Sequence, residues 1–161
     1  MMFKGKYRIE SSRLKNYDYS KPGAYFITIV TKNRKCYFGI VINDKMVLNE
    51  LGNIVNNYWK EIPKHFPYAA IDEYAVMPNH VHGILILDDN TSQINRQPIG
   101  VMINQFKRAC TIEIRKYDVD FAWQSRFHDH IIRDDDELNR IRQYIIDNPK
   151  NWNQDENFIE N

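Results

Sequence analysis

Ile71-Asp72-Glu73-Tyr74-Ala75-Val76-Met77, Pro78-Asn79, then His80-Val81-His82-Gly83-Ile84-Leu85-Ile86-Leu87 is the stretch on which the fold turns. Two runs rich in β-branched and aliphatic residues are separated by a proline-asparagine break, which predicts two strands joined by a tight reversal, hence an antiparallel pair. Upstream, Ala24 is followed by Tyr25-Phe26-Ile27-Thr28-Ile29-Val30-Thr31, a β-branched and aromatic strand introduced by Pro22-Gly23. Between the two lies Leu51, Ile54, Val55, Tyr58, Trp59 and Ile62, recurring at three- and four-residue steps from a cap at Asn49 to Pro63. That spacing predicts an amphipathic helix. A weaker signal, Gly39 to Val41 and Lys45 to Leu48 around Asn43-Asp44, reads either as a hairpin or as an irregular excursion.

Downstream, Asp88 to Gln97 is polar and loop-like. Pro98 is expected as a first helical residue ahead of Ile99, Met102, Ile103, Phe106, Cys110 and Ile114, a second amphipathic helix. The segment Trp123 to Arg133 contains a strand ending at His130-Ile131-Ile132-Arg133. Asp134-Asp135-Asp136 then offers caps and negative charge to a helix N-terminus, with Leu138, Ile141 and Ile145 as its stripe and Pro149 as its stop. The order strand, helix, strand, strand, helix, strand is that of an α+β, ferredoxin-like (RRM-like) split βαβ core: an antiparallel sheet, two helices on one face and a further C-terminal helix. The expectation is one domain over 1–161, with the core at about 20–133, the final helix at about 135–148 and a tail at 149–161.

Composition narrows the function classes. The 161 residues carry 22 Lys and Arg against 21 Asp and Glu, a net charge of +1, so any nucleic-acid surface must be local rather than global. No run approaches the ~20 apolar residues of a membrane helix and no signal-peptide pattern is read, which leads to the expectation of a cytoplasmic protein without a membrane partner. Cys36 and Cys110 are too few for a disulfide framework or a thiolate metal site.

The chemistry concentrates in few residues. In a strand, His80 and His82 leave one face while Val81 enters the other, a geometry that can chelate a metal. His128-Asp129-His130 repeats the pattern, and surface or hydrogen-bonded imidazoles are the plain alternative for either pair. For the second pair a supporting role, a DNA contact or a strand hydrogen bond, is expected, with Asp129 taken as a sign that both sheet faces are polar there. Tyr144 and Asn148 stack on one helical face, Tyr144 beside the apolar stripe. Two imidazoles and an amide oxygen form a mixed nitrogen and oxygen set suited to a divalent ion that polarises a phosphate, and a neighbouring tyrosine becomes a nucleophile.

Together with Tyr17-Asp18-Tyr19, Gly23-Ala24-Tyr25-Phe26-Ile27-Thr28, Val76-Met77-Pro78-Asn79-His80-Val81-His82-Gly83, Trp123-Gln124, His130-Ile131-Ile132-Arg133 and Tyr144-Ile145-Ile146-Asp147-Asn148-Pro149, this set resembles the single-tyrosine HUH transposases, and within them the REP-associated tyrosine transposases. The resemblance implies His80 and His82 as metal ligands, Asn148 as the third ligand, Tyr144 as the nucleophile and Mg²⁺ or Mn²⁺ as the ion. Mobile insertion-sequence relatives usually carry Gln at the last ligand position, so Asn148 resembles the REP-associated branch and favours a resident protein over a self-mobilising one. The implied reaction is transesterification on single-stranded or hairpin DNA through a 5′-phosphotyrosine, by a monomer or a homodimer. Lys32, Arg34, Lys35, Lys107, Arg108, Arg126, His130 and Arg133 are the candidate DNA contacts, because phosphate pairing supplies most affinity for a strand. Two other classes stay open: a domesticated DNA-binding module of the same fold that no longer cleaves, and a small-molecule metal hydrolase, which would need a closed apolar pocket.

Overall fold

The structure, a computed structural model, describes residues 22–88 and 96–160. The Tyr17-Asp18-Tyr19 motif and residues 89–95 of the polar loop lie outside the described residues. The chain runs β1 (Gly23–Val30), a 3₁₀ turn (Lys32–Arg34), β2 (Gly39–Ile42), β3 (Lys45–Leu48), α1 (Glu50–Lys60), α2 (Ile62–His65), β4 (Ala69–Met77), β5 (His80–Leu87), α3 (Ile99–Ile114), β6 (His128–Ile132), α4 (Asp135–Asp147) and a 3₁₀ turn at Trp152–Gln154. The main sheet has the order β4-β5-β1-β6, with every neighbouring pair antiparallel. Setting aside the β2–β3 ribbon, α2 and α4, this is the split βαβ order expected from the sequence, with the first strand beside the third and the last.

Strand alternation sorts the sheet into two faces. Tyr25, Ile27 and Ile29 of β1, Val81, Leu85 and Leu87 of β5 and Ile131 of β6 pack with Trp59 of α1 and Met102, Ile103 and Phe106 of α3 in the large core. Ala24 of β1, Ile84 of β5 and Ile132 of β6 meet Leu138 and Ile145 of α4 in a smaller cluster on the other face. Gly83 is required by close packing on the first face. A Cβ there would lie 2.6 Å from Tyr74 Cβ and 2.8 Å from Trp59 Cζ2. The indole is seated directly over β5.

Local chemistry explains most element ends. Asn49 Oδ1 accepts from Gly52 N at 2.9 Å, capping α1. Asp134 Oδ1 accepts from Glu137 N at 2.8 Å, capping α4, and Glu137 Oε1 accepts in return from Arg133 N at 2.9 Å. Asn43 and Asp44 both take left-handed φ, 52° and 63°, as a two-residue hairpin turn demands, so the β2–β3 signal resolves as a hairpin set apart from the main sheet. Two expectations at prolines change. Pro63 does not stop α1; the helix breaks at Glu61, and Pro63 sits in the first turn of α2, where its missing N–H costs nothing. Pro98 is the residue before α3, extended at φ −70° and ψ 162°, and Ile99 is the first helical one. Asp129 is a further correction: it is 1% exposed, on the face covered by α1 and α3, so that face is not solvated there.

Two devices hold α4 on its face. Besides the apolar cluster, Arg142 reaches Asp72 at the bulge in β4, Nε donating to Oδ1 at 2.8 Å and Nη2 to Oδ2 at 2.5 Å. This bidentate pair holds the Asp72 carboxyl below its ordinary range.

Candidate active site

β5 begins at His80, and the pleat sends His80 and His82 toward α4 while Val81 enters the large core. The two imidazole rings lie 5.0 Å apart at 86°. Both are 1% exposed. Burial pushes the His80 pKa down to about 4, partly offset by the Asp155 carboxylate and the Asn148 side chain. Burial, then the neighbouring His80, pushes His82 well below its ordinary value. Both rings are therefore neutral near pH 7, the form that offers a lone pair.

α4 turns Tyr144 over this pair. Its ring lies 5.6 Å from that of His82 and 6.2 Å, edge-on, from that of Phe26. At 49% exposure the phenol is reachable from solvent, whereas Ile145 beside it is buried. Burial of its inner half, then the Asp155 and Glu156 carboxylates, raise the Tyr144 pKa. One turn on, Asn148 closes α4 with helical dihedrals despite the following Pro149, and its side chain is brought to His80. Thus a single chain unites all four residues expected at the site.

The donor set fits a divalent cation. His80 Nδ1 shares a 2.9 Å hydrogen bond with Asn79 Oδ1, which can only accept, so Nδ1 carries the proton and Nε2 the lone pair. Among the described residues, His82 Nε2 and Asn148 Oδ1 are buried and find no hydrogen-bond partner. Buried polar atoms left unmatched are costly, and a cation would satisfy both when His82 presents Nε2 unprotonated. Among the described residues no three His, Cys, Asp or Glu side chains converge as a metal cluster.

The structure also brings in residues that sequence reasoning missed. After Pro149 the chain turns back, and Trp152 packs against His80 with ring centroids 6.1 Å apart. Asp155 follows, its side chain 1% exposed and its Oδ2 3.7 Å from His80 Nε2. Asn79 Nδ2 donates to Asn157 O at 2.6 Å and to Arg34 O at 3.0 Å, tying the tail and the loop after β1 to the histidine strand. Asn79 adjoins the histidine motif, and that adjacency was the one available signal. Nothing local marks Asp155.

The expected DNA contacts divide. Lys32, Arg34 and Arg126 line an open groove of about 780 Å³ together with Gln124, Ser125 and His128. His128 faces the same side as His82: both pair with Thr28, from opposite sides. Two strand spacings, about 10 Å, therefore separate their Cα atoms. Lys35 lies next to this groove, its Nζ 4.9 Å from the Tyr37 ring. The other four are placed differently. Lys107 Nζ donates to Gln124 O at 2.9 Å, and Arg108 is exposed on α3, the layer away from the histidines. His130 Nε2 meets the buried Glu137 carboxylate at 2.8 Å, the hydrogen-bonding role expected as one of its alternatives. Arg133 contributes its backbone N–H to the α4 cap. A cavity of about 280 Å³ lined by Tyr58, Ile62, Phe66, Met102 and Phe106 lies between α1, α2 and α3, across the sheet from the histidines. Among the described residues no helix is long and apolar enough to cross a membrane.

No family model matches the chain. A Haemophilus influenzae protein carrying the name "Uncharacterized protein" is 39% identical over 97% of this chain and 96% of its own length. A second protein of that organism, named "Putative REP-associated tyrosine transposase", is 30% identical over 82% of this chain and 73% of its own length. Among solved structures, a REP-associated tyrosine transposase bound to a REP hairpin superposes with a TM-score of 0.61 at 20% identity, covering 86% of this chain and 73% of that one. A Deinococcus radiodurans protein described as a "putative transposase" gives 0.51 at 15% identity, covering 83% and 95%. By its sequence relationship to the second Haemophilus protein, the chain belongs to the REP-associated tyrosine transposase family.

Proposed function

We propose that this protein cuts and rejoins single-stranded or hairpin DNA through a covalent tyrosine intermediate. The observation that carries the reading is the meeting of Tyr144 with two buried polar atoms, His82 Nε2 and Asn148 Oδ1, that find no hydrogen-bond partner among the described residues. In the forward step Tyr144 Oη forms a bond to a backbone phosphorus and the P–O3′ bond breaks. The phenolic proton passes to solvent, and the departing oxygen takes one up to become a 3′-hydroxyl. The reverse step, attack by a 3′-hydroxyl, is favoured by the phenol as leaving group. His80, His82 and Asn148 would hold Mg²⁺ or Mn²⁺, which when bound supplies a Lewis-acid contact to a non-bridging phosphate oxygen and offsets charge at phosphorus.

The protein's own groups do the rest. The half-exposed phenol gives a strand access to Oη, while Phe26 edge-on to its ring limits its swing. The groove of Lys32, Arg34 and Arg126 offers phosphate contacts on the same side of the sheet as the histidines, the side a strand crossing Tyr144 would follow. A small-molecule hydrolase gains no support, because the apolar cavity opens on the other face. The reading of a non-cleaving module is disfavoured by the intact set of ligands and nucleophile.

The test is covalent trapping. Labelled hairpin oligonucleotides with randomised single-stranded flanks are incubated with the full chain and Mn²⁺, then denatured. An adduct is expected with the parent and none with Tyr144→Phe, which still retards the hairpin on a native gel. An adduct that survives Tyr144→Phe, or hairpin binding with no adduct under any divalent ion, defeats the reading.

A further inference from the structure

Asp155 enters the site from the tail, held on both sides. Trp152 packs on His80 and Phe158, with ring centroids 6.1 Å and 5.2 Å away, and Asn79 Nδ2 grips Asn157 O at 2.6 Å. Between these anchors the Asp155 side chain is 1% exposed. Its Oδ1 accepts from Asn157 N at 2.7 Å and its Oδ2 from Asn148 Nδ2 at 2.8 Å. Among the described residues no lysine or arginine pairs with it, and the one basic side chain within 4 Å is that of His80. A carboxylate placed so deeply must serve the groups it touches, since burying its charge is costly.

The asymmetry of an amide shows what it serves. Asn148 has a donor end and an acceptor end, and a carboxylate can only accept. With Nδ2 held by Asp155, Oδ1 must face the other way, where it is buried without a hydrogen-bond partner among the described residues. The flipped amide would set oxygen against oxygen at 155 and offer the histidine pair an NH₂, which cannot ligate a cation.

Resting on the cation reading above, we propose that Asp155 is a positioning residue: through the Asn148 amide it fixes the carbonyl oxygen on the histidine side and so sets the site's affinity for a divalent cation. It acts through Asn148 rather than as a ligand, consistent with the absence, among the described residues, of three converging His, Cys, Asp or Glu side chains. Orienting partners of this kind typically govern metal affinity by 10–100-fold.

The experiment is a double-mutant cycle read by Mn²⁺ electron paramagnetic resonance on the full chain without DNA, so that no catalytic step enters the readout. Asp155→Leu is expected to weaken Mn²⁺ binding by about 10–100-fold when residue 148 is Asn. In the Asn148→Asp background both ends of the side chain are oxygens and orientation no longer matters, so the same change costs at least about fivefold less. Asp155→Asn, which keeps an acceptor for Asn148 Nδ2 and guards against a folding defect in the leucine variant, falls between parent and Asp155→Leu. Equal losses in the two backgrounds, or no loss in either, overturn the positioning role. If the parent binds Mn²⁺, His82→Ala does not, and Asp155→Leu binds like the parent, only this proposal falls. If the parent itself binds no Mn²⁺, the cation reading falls with it.

Discussion

The two faces of the main sheet are built from alternate residues of the same strands, yet they are spent differently. On the face under α1 and α3, Tyr25, Ile27, Ile29, Val81, Leu85 and Leu87 join aromatic and aliphatic helix residues in a continuous core. On the face under α4 the apolar cluster is small, and β5 gives its first two positions there to buried histidines with depressed pKa values. The first face supplies cohesion, and the second holds buried polar atoms that find no hydrogen-bond partner among the described residues, at a cost in stability. A single residue step along β5, from Val81 to His82, crosses from one regime to the other.

The comparison breaks first at Tyr144. Tyr144→Phe should lower adduct formation on the order of 10⁴-fold or more, the scale on which losing a covalent nucleophile acts, while the unfolding free energy from urea titration stays within about 0.5 kcal/mol of the parent. A large loss of stability would show that Tyr144 belongs to the cohesive face. Next, Trp59→Ala should cost about 3–5 kcal/mol, measured by urea unfolding, because the indole is fully buried over Gly83.

The third prediction concerns pH, in the absence of divalent ions. His80 has its pKa lowered from the ordinary 6.5 to about 4, and His82 shifts the same way. Between those values the unfolded chain binds protons that the folded chain refuses, so stability is intact above pH 6.5 and falls as the pH drops toward about 4. Urea midpoints at pH 7 and 4.5 in EDTA measure it, and His82→Leu should flatten the slope. The smallest expected effect is that of Arg142→Ala, about 1 kcal/mol for a partly exposed pair. Its slackening of α4 should still lower the trapping rate through Tyr144, and an unchanged rate would show that the apolar cluster alone positions the helix.

Much of this was legible in the sequence because it follows local periodicity. Alternation around Val81 set both histidines on one face, three- and four-residue steps drew α1, α3 and α4, and Asn49 and Asp134 announced their helices. The sequence is silent where a partner is supplied by tertiary folding. The bond from Lys107 Nζ to Gln124 O forms only when the segment around Gln124 folds over α3. The Glu137 carboxylate reaches His130 only because the α4 cap turns the chain back beneath β6. Asp155 could not be picked out at all, since 75 positions separate it from His80 and only the reversal after Pro149 closes that gap. Pro63 misled for a simpler reason: a proline that ends one helix and one that opens the next look alike in isolation.

The Asn79 amide, gripping the backbone of Asn157 while sharing a bond with His80, also acts as a latch between the tail and the sheet. Every strand of the main sheet ends at or before Ile132, so the strands can pair without the segment beyond residue 150, but His80 and His82 then stand without Trp152, Asp155 and Asn157. Cutting the chain near Lys150 would leave a paired sheet with its histidines unroofed.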